Sequence, residues 1–501
     1  MNQTEKNRIL LGQRIAIGFP GDTLTPELEK LIREYKIGNI ILFRRNIHTV
    51  EQTRKLCADL QALIQAETGL PAFIMLDEEG GTVSRLGQLG TPTPSAMAVG
   101  AAGNADNACR LGQMIGTELR AVGVNVDLAP VLDCNTNPNN VVIGVRAFGD
   151  NPELVADMGC RFADGLRQAG ILPCGKHFPG HGDTAVDSHL GLPVVEKSRE
   201  QIEQEELISF RRAAENGIDA LMAAHVVFPA LDEKRLPSTV SRKVLTGLLR
   251  QEMNYQGLII SDCMEMGAVK DLFGTPEATL MSLQAGIDIA LVSHTESLQR
   301  DAYRLAHEAL ESGSLSMEEC QSAYDRIVAA KARMSHQQLP EAALKTPEHL
   351  ALSLEIQRQA VKLLHAPTHQ PLPSLGKAPL FIGAPAAAAS MASDGLSLNA
   401  AERLAASFGG LACEAPWEQA AQLLNLAPGR TAVVLLSRHP LAQRMADFAV
   451  RLDQAGARVI AISLHTPYCL DQLPDSLWKI AAYQYDEFAL NRLTELLRTG
   501  K

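Results

Sequence analysis

Short, nearly unbroken apolar runs recur along the first 300 or so residues, each followed by a longer segment whose apolar positions have helical spacing. The runs are RIAIGF ending at Phe19, IGNIILF ending at Phe43, AFIMLDEE through Asp77 and VNVDLAPVLD through Asp133. They continue with ILPCGKHF through His177, ALMAAHVV through Val227, GLIISDCM through Asp262 and IDIALVSH through His294. A strand that is apolar throughout is buried on both faces, and strands that alternate with amphipathic helices pair in parallel. Eight such units predict a (β/α)8, TIM-type barrel. An open doubly wound sheet is the alternative, but it more often stops at about five to seven strands.

After Met334 the texture changes. A helical stretch from Met334 to His365 leads into APTHQPLPSLGKAP, a Pro-rich break. Beyond it PLFIGAP, TAVVLLS, ARVIAIS and WKIAAYQY alternate with helices such as Leu398–Phe408 and Leu441–Gln454. The pattern predicts a barrel over 1–335, a helical and Pro-rich linker over 336–375, and a smaller α/β sandwich with a largely parallel sheet over 376–501. GAPAAAAS has neither the G-x-G-x-x-G spacing nor a P-loop lysine, so no chemistry is assigned to the second domain.

Composition narrows the function classes. A formal charge of −11 over 501 residues argues against a nucleic-acid binder. Nine dispersed cysteines without a C-x-x-C read as reduced thiols of a cytoplasmic protein. The N-terminus lacks a signal peptide's basic head and apolar run, and no stretch is long enough to span a bilayer, so no membrane partner is expected. Oligomeric state is not legible.

Polar residues punctuate the ends of the runs: Asp77, Asp133, Lys176 with His177, His225, Asp262 and His294. In a barrel that end carries the active site. The stretch KHFPGHGDTAVDSH, Lys176 to His189, is the densest of these sites. Read as a metal site it offers His177, His181, Asp183 and His189, but barrel amidohydrolases add a His-x-His on the first strand, and RIAIGFPGD has none. No P-loop lysine follows its glycines, which weakens a phosphate cradle. In an acid–base reading, Asp187 holds one imidazole nitrogen of His189 and the other faces the cleft, with Gly180 and Gly182 letting the loop bend. Asp262 ends an apolar strand, where a carboxylate is costly unless used. Opposite an acid–base group, it suits double displacement at a sugar carbon.

KHFPGHGDTAVDSH and LIISDCMEMGAV together resemble the family 3 glycoside hydrolases, in particular their bacterial β-N-acetylglucosaminidase branch, the NagZ-like β-hexosaminidases. LDEEGGTVSRL, DLAPVLD, NNVVIGVRAFGDNP and AAHVVFPALD agree, so the resemblance covers roughly residues 9–335. It implies that Asp262 is the nucleophile and that His189, assisted by Asp187, is the acid–base group. Asp77, Arg85, Arg146, Lys176 and His177 match the positions that hold the sugar hydroxyls, while His181 and Asp183 shape the loop. Cys263 and Thr82 depart from the common pattern, where many relatives have aspartate and arginine, and both bear on aglycone preference.

The implied activity is hydrolysis of terminal N-acetylglucosamine from cell-wall fragments or short chitin-type oligosaccharides, without metal or other cofactor. A phosphorylase of the same family, a metal-dependent amidohydrolase and a non-catalytic carbohydrate binder are the alternatives. With histidine as acid–base group, and with Lys176 and Arg146 to offset an anion, some transfer to phosphate beside hydrolysis is expected.

Overall fold

The computed structural model describes residues 3–184, 191–335, 337–383, 399–414, 418–437 and 441–500. Eight parallel strands close into a barrel: β1 (Ile15–Ile17), β2 (Asn39–Ile41), β3 (Phe73–Leu76), β4 (Val126–Asp127), β5 (Leu172–Phe178), β6 (Ala220–Ala223), β7 (Leu258–Cys263) and β8 (Ile289–Val292). Each pairs with its chain neighbours, and β1 closes on β8 through Ile15 opposite Ala290 and Ile17 opposite Val292. One set of strand residues points inward and fills the barrel, with Ala16, Ile41, Phe73, Val126, Cys174 and Ile260 among them, so the barrel is a packed core and not a pore.

The helices between the strands are fixed by their end residues. Thr49 caps Val50–Thr68, Asn104 caps Ala105–Val122, and Asn151 caps Pro152–Gln168, which also has proline in its first turn. Gly69 and Gly123 end the first two in the left-handed conformation. Their apolar faces close the second layer of core around the barrel.

The second domain is a six-stranded sheet of β9 (Leu363–His365), β10 (Leu380–Gly383), β11 (Leu411–Cys413), β12 (Thr431–Leu436), β13 (Arg458–Ser463) and β14 (Trp478–Ala481), in the order β9-β14-β13-β12-β10-β11. All its pairings are parallel except β9 with β14. The segment 336–375, expected as a helical and Pro-rich linker, also supplies a strand to this sheet. Pro347–Ala360 is a helix, but Leu363–His365 is the sheet's edge strand. Only three residues long and half exposed, β9 carries no alternating pattern; its partner across the sheet decides it.

The two domains share buried polar contacts. Ser95 Oγ donates to Tyr483 O (2.8 Å), Ser95 N donates to Gln484 Oε1 (3.0 Å), and Gln484 Nε2 donates to Thr93 O (3.1 Å). Met97, Ala98 and Val145 of the barrel belong to the second domain's apolar core.

Candidate active site

Asp77, Arg85, Arg146, Lys176, His177 and Asp262 line one cavity of about 660 Å³ at the C-terminal ends of the barrel strands. Six residues from four separate segments thus converge; Asp77, Lys176, His177 and Asp262 come from the strand-end pattern, and Arg85 and Arg146 from the family resemblance. His294 also reaches the rim, its ring 4.9 Å from that of Phe43. Asp187 and His189 lie outside the described residues.

The cavity-lining groups are held by a buried ionic network. Lys176, 2% exposed, extends its ammonium from β5 to Asp77 Oδ1 (2.6 Å) and Glu79 Oε1 (2.7 Å). Arg146 donates from Nε and Nη2 to the two oxygens of Glu79 (2.8 and 2.7 Å) and from Nη1 to Val142 O (3.1 Å). Arg85 Nη2 stands 3.8 Å from Asp77 Oδ2. Burial opposes charge on Glu79, but Arg146 and Lys176 outweigh it and hold the carboxyl well below the usual range. Burial likewise opposes charge on Lys176, and Asp77 with Glu79 more than restores it.

Glu79 is the centre of this network and was missed in the sequence, although it stands within LDEEGGTVSR. Its position depends on a hairpin in which Glu78–Gly80 folds back on Val83–Ser84. Gly80 and Gly81, at φ +86° and +58°, make the turn, and a Cβ on Gly81 would lie 2.6 Å from Ser95 Cα. Adjacent acids followed by two glycines at a strand end were the available signal.

His177 Nδ1–H donates to Asp133 Oδ2 (2.6 Å), which leaves Nε2 towards the cavity, 3.5 Å from Arg146 Nη2. Asp133 also accepts from His181 N (2.7 Å). Burial works against its charge, but His177 prevails and the carboxyl is held low. Asp133 therefore stands behind the cavity and not in it. So does His225, whose Nε2 lies 2.9 Å from Cys263 O and whose Nδ1 lies 2.7 Å from Thr239 Oγ1, bracing the end of β7. Asp262 Oδ1 accepts from the following amide, Cys263 N (2.7 Å), and the residue is partly exposed to the cavity.

The stem of the loop that leads to residue 185 departs from expectation. Gly182 is required by close approach: a Cβ there would lie 1.7 Å from Cys134 O. A Cβ on Gly180 would meet Glu206 Cγ at 2.6 Å. These glycines pack the stem down and do not hinge it. His181, 2% exposed, turns Nδ1 to Thr184 Oγ1 (2.7 Å), and burial with the neighbouring His177 pushes its pKa down to about 4. Asp183 takes its place beside Lys197 (3.6 Å) and Thr136 Oγ1 (3.4 Å). Both shape the stem.

Asp77 and Glu79 already engage Lys176 and Arg146, which reduces the charge that these two cations can offer an anion. Burial pushes the Cys263 thiol up to about 11, which keeps it protonated near neutrality. Among the described residues no group of three or more His, Cys, Asp or Glu side chains could hold a metal ion.

A second cavity of about 590 Å³ adjoins the first across Val142 and Arg146 and runs between the domains. The barrel side contributes Thr82, Asn135 and Asn139; the second domain contributes Ser437, Thr466 and Tyr468. Asn135 Nδ2 donates to Tyr468 Oη across the junction (3.5 Å). Ser437 is 7% exposed, and its hydroxyl has no partner among the described residues.

The family model of the glycosyl hydrolase family 3 N-terminal domain matches residues 11–330. Beta-hexosaminidase A of Pseudoalteromonas piscicida is 35% identical over 396 residues, which span 70% of this chain and 66% of that protein. A family 3 β-N-acetylglucosaminidase from Paenibacillus sp. str. FPU-7 superposes with a TM-score of 0.88 at 34% identity, covering 98% of this chain and 96% of the other. NagZ from Neisseria gonorrhoeae, in complex with N-trifluoroacetyl-D-glucosamine, is 32% identical with a TM-score of 0.59; the match covers 69% of this chain and 97% of that one.

Proposed function

The chain belongs to glycosyl hydrolase family 3, and on that premise we propose that it is a retaining, exo-acting β-N-acetylglucosaminidase. The observation that carries the reading is the opening of Asp262, at the end of β7, into the same cavity as Asp77, Arg146, Lys176 and His177. Those four present hydrogen-bond donors and acceptors in fixed positions, which suits the hydroxyls of one terminal sugar.

In this mechanism Asp262 attacks the anomeric carbon while His189 gives its proton to the departing glycosidic oxygen. The products of this half are an ester between sugar and Asp262 and the free leaving alcohol. His189, now neutral, takes a proton from an incoming water whose oxygen displaces Asp262 from the anomeric carbon. The second inversion restores the original configuration. Asp187 orients the imidazole. The sequence motif supports these roles for Asp187 and His189.

The leaving portion extends into the cavity between the domains. Its amides and hydroxyls suit a further uncharged sugar, which favours short chitin-type oligosaccharides and leaves cell-wall fragments as the second substrate class. A cytoplasmic location is supported by nine free cysteines, and no helix among the described residues is long and apolar enough to cross a membrane.

The test is Asp262→Asn together with a 5-fluoro glycosyl donor. The variant should lose nearly all activity while its melting temperature holds, and the fluoro sugar should label the wild-type peptide containing Asp262. Label on another carboxylate would reassign the nucleophile.

A further inference from the structure

The asparagine-rich run after β4, CNTNPNNVVIGVR, contributes more than Arg146. Asn140, 5% exposed, uses both ends of its amide. Its Oδ1 accepts from Val142 N and Ile143 N, both at 2.9 Å, which starts the 3-10 turn Gly144–Arg146. Its Nδ2 donates to His181 O (2.8 Å) and Gly182 O (3.0 Å), and Thr184 Oγ1 lies 3.4 Å away. One side chain therefore joins the turn that carries Arg146 to the stem of the loop that leads to Asp187 and His189.

We propose that Asn140 is a positioning residue for the acid–base group, setting the loop's origin relative to the arginine that helps hold the sugar. The proposal rests on the acid–base reading of His189 and Asp187 given above. Asp133 Oδ1 holds the stem's His181 amide (2.7 Å), but Asn140 is what ties the His181 and Gly182 carbonyls to the Arg146 turn; Asn137 Nδ2 to Asp183 O and Thr136 Oγ1 to Asp183 Oδ1 are longer, both 3.4 Å. The stem also packs closely on backbone at Gly182, where a shift of the carbonyls that Asn140 holds has little room. Thr184 lies three residues before Asp187 and five before His189, close enough in the chain for an error in the stem to reach the proton donor. General-acid catalysis fails with such an error, because the donor must come within about 3 Å of the oxygen it protonates. Sugar binding depends on the opposite end of the amide.

Asn140→Asp separates the two ends. One carboxylate oxygen still accepts from Val142 N and Ile143 N, while the other replaces a donor and faces two carbonyls. Rates are read on aryl β-N-acetylglucosaminides with good and poor leaving groups, beside His189→Ala as reference. The Asp variant should lose at least thirtyfold in kcat/KM on the poor leaving group and at most threefold on the good one. The inhibition constant of free N-acetylglucosamine should stay within threefold. If Asn140→Asp does not fold, Asn140→Ala, which loses both ends, should still lose several-fold more on the poor leaving group than on the good one, with the inhibition constant of N-acetylglucosamine raised as well. Equal losses on both leaving groups, or no loss, would overturn the proposal when His189→Ala shows the selectivity. If His189→Ala lacks it, the acid–base reading falls first and takes this inference with it.

Discussion

Arg146 and Glu79 meet fork to fork, with Nε to Oε2 at 2.8 Å and Nη2 to Oε1 at 2.7 Å, both side chains under 10% exposed. The same Oε1 accepts from Lys176, so one carboxylate sets the position of two cations. Removing one partner of a buried ion pair costs about 3–5 kcal/mol, because it leaves charge without compensation. Glu79→Gln should therefore lower unfolding stability by about that amount, measured by urea titration. It should also raise KM on an aryl N-acetylglucosaminide more than it lowers kcat, since Arg146 and Lys176 lose their alignment. A stability change below about 1 kcal/mol would contradict a buried pair of this kind.

The pH dependence of stability has an identifiable source in the loop stem. His181 titrates at about 4 in the folded chain, against about 6.5 when unfolded. Its folded value is depressed, so the unfolded state binds more protons between pH 6.5 and 4, and stability falls as pH falls through that window. At pH 5 the loss is about 2 kcal/mol relative to pH 7.5. Glu78 acts in the opposite sense: burial raises it to about 7, so lowering the pH through that value favours the folded state. The informative quantity is thus the difference between wild type and His181→Gln. The variant should lose stability less steeply than wild type between pH 7.5 and 5 in urea melts. Parallel profiles would remove His181 as a source.

The cavity between the domains makes a substrate prediction. Ser437→Ala with Tyr468→Phe removes two hydroxyls that line it and do not line the cavity of Asp262. Hydrolysis of an aryl N-acetylglucosaminide should change less than twofold, and kcat/KM on N-acetylglucosamine di- and trisaccharides should fall about five- to tenfold. That corresponds to about 1 kcal/mol or a little more, the scale of one or two hydrogen bonds. Equal rates on oligosaccharides would place the leaving sugar elsewhere.

The barrel was legible because parallel strands buried on both faces leave apolar runs, and the strand-end residues Asp77, Lys176, His177 and Asp262 do share one cavity. Glu79 and Asn140 were not singled out, and Asp133 was read only as a strand-end position without a role. Glu79 faces the cavity through a hairpin turn at Gly80 and Gly81, Asp133 acts from behind His177, and Asn140 works through an amide nitrogen whose partners lie more than 40 residues away. A periodicity shows which face of a strand is buried, but the partner of a buried polar group is chosen by tertiary contact. Edge strand β9 was not foreseen for the same reason, since its pairing with Lys479 and Ile480 leaves no local pattern.

The last prediction concerns the acceptor. A carboxylate acid–base group is negative when it activates the acceptor, and at roughly 4 Å it opposes an approaching anion by about 4 kcal/mol at an effective dielectric near 20. Under the proposed acid–base reading, a neutral His189 would lack that charge, and its Asp187 partner would return part of it. Lys176 and Arg146 offer less, because Asp77 and Glu79 already engage them. The cavity has other cations: Arg44, Arg45 and Lys270 stand along its lining, with Arg45 4.4 Å above the ring of Phe43. Once Asp262 is esterified by the sugar, one acidic group of that lining is neutral and the balance moves towards the cations. Phosphate should therefore compete weakly with water, giving a minor yield of sugar 1-phosphate that rises with phosphate at constant ionic strength. Exchanging Arg44 and Arg45 for glutamine should reduce that yield severalfold and leave hydrolysis of the aryl glycoside the major reaction. Sugar phosphate absent at high phosphate would mean that access to the ester, and not charge, selects the acceptor.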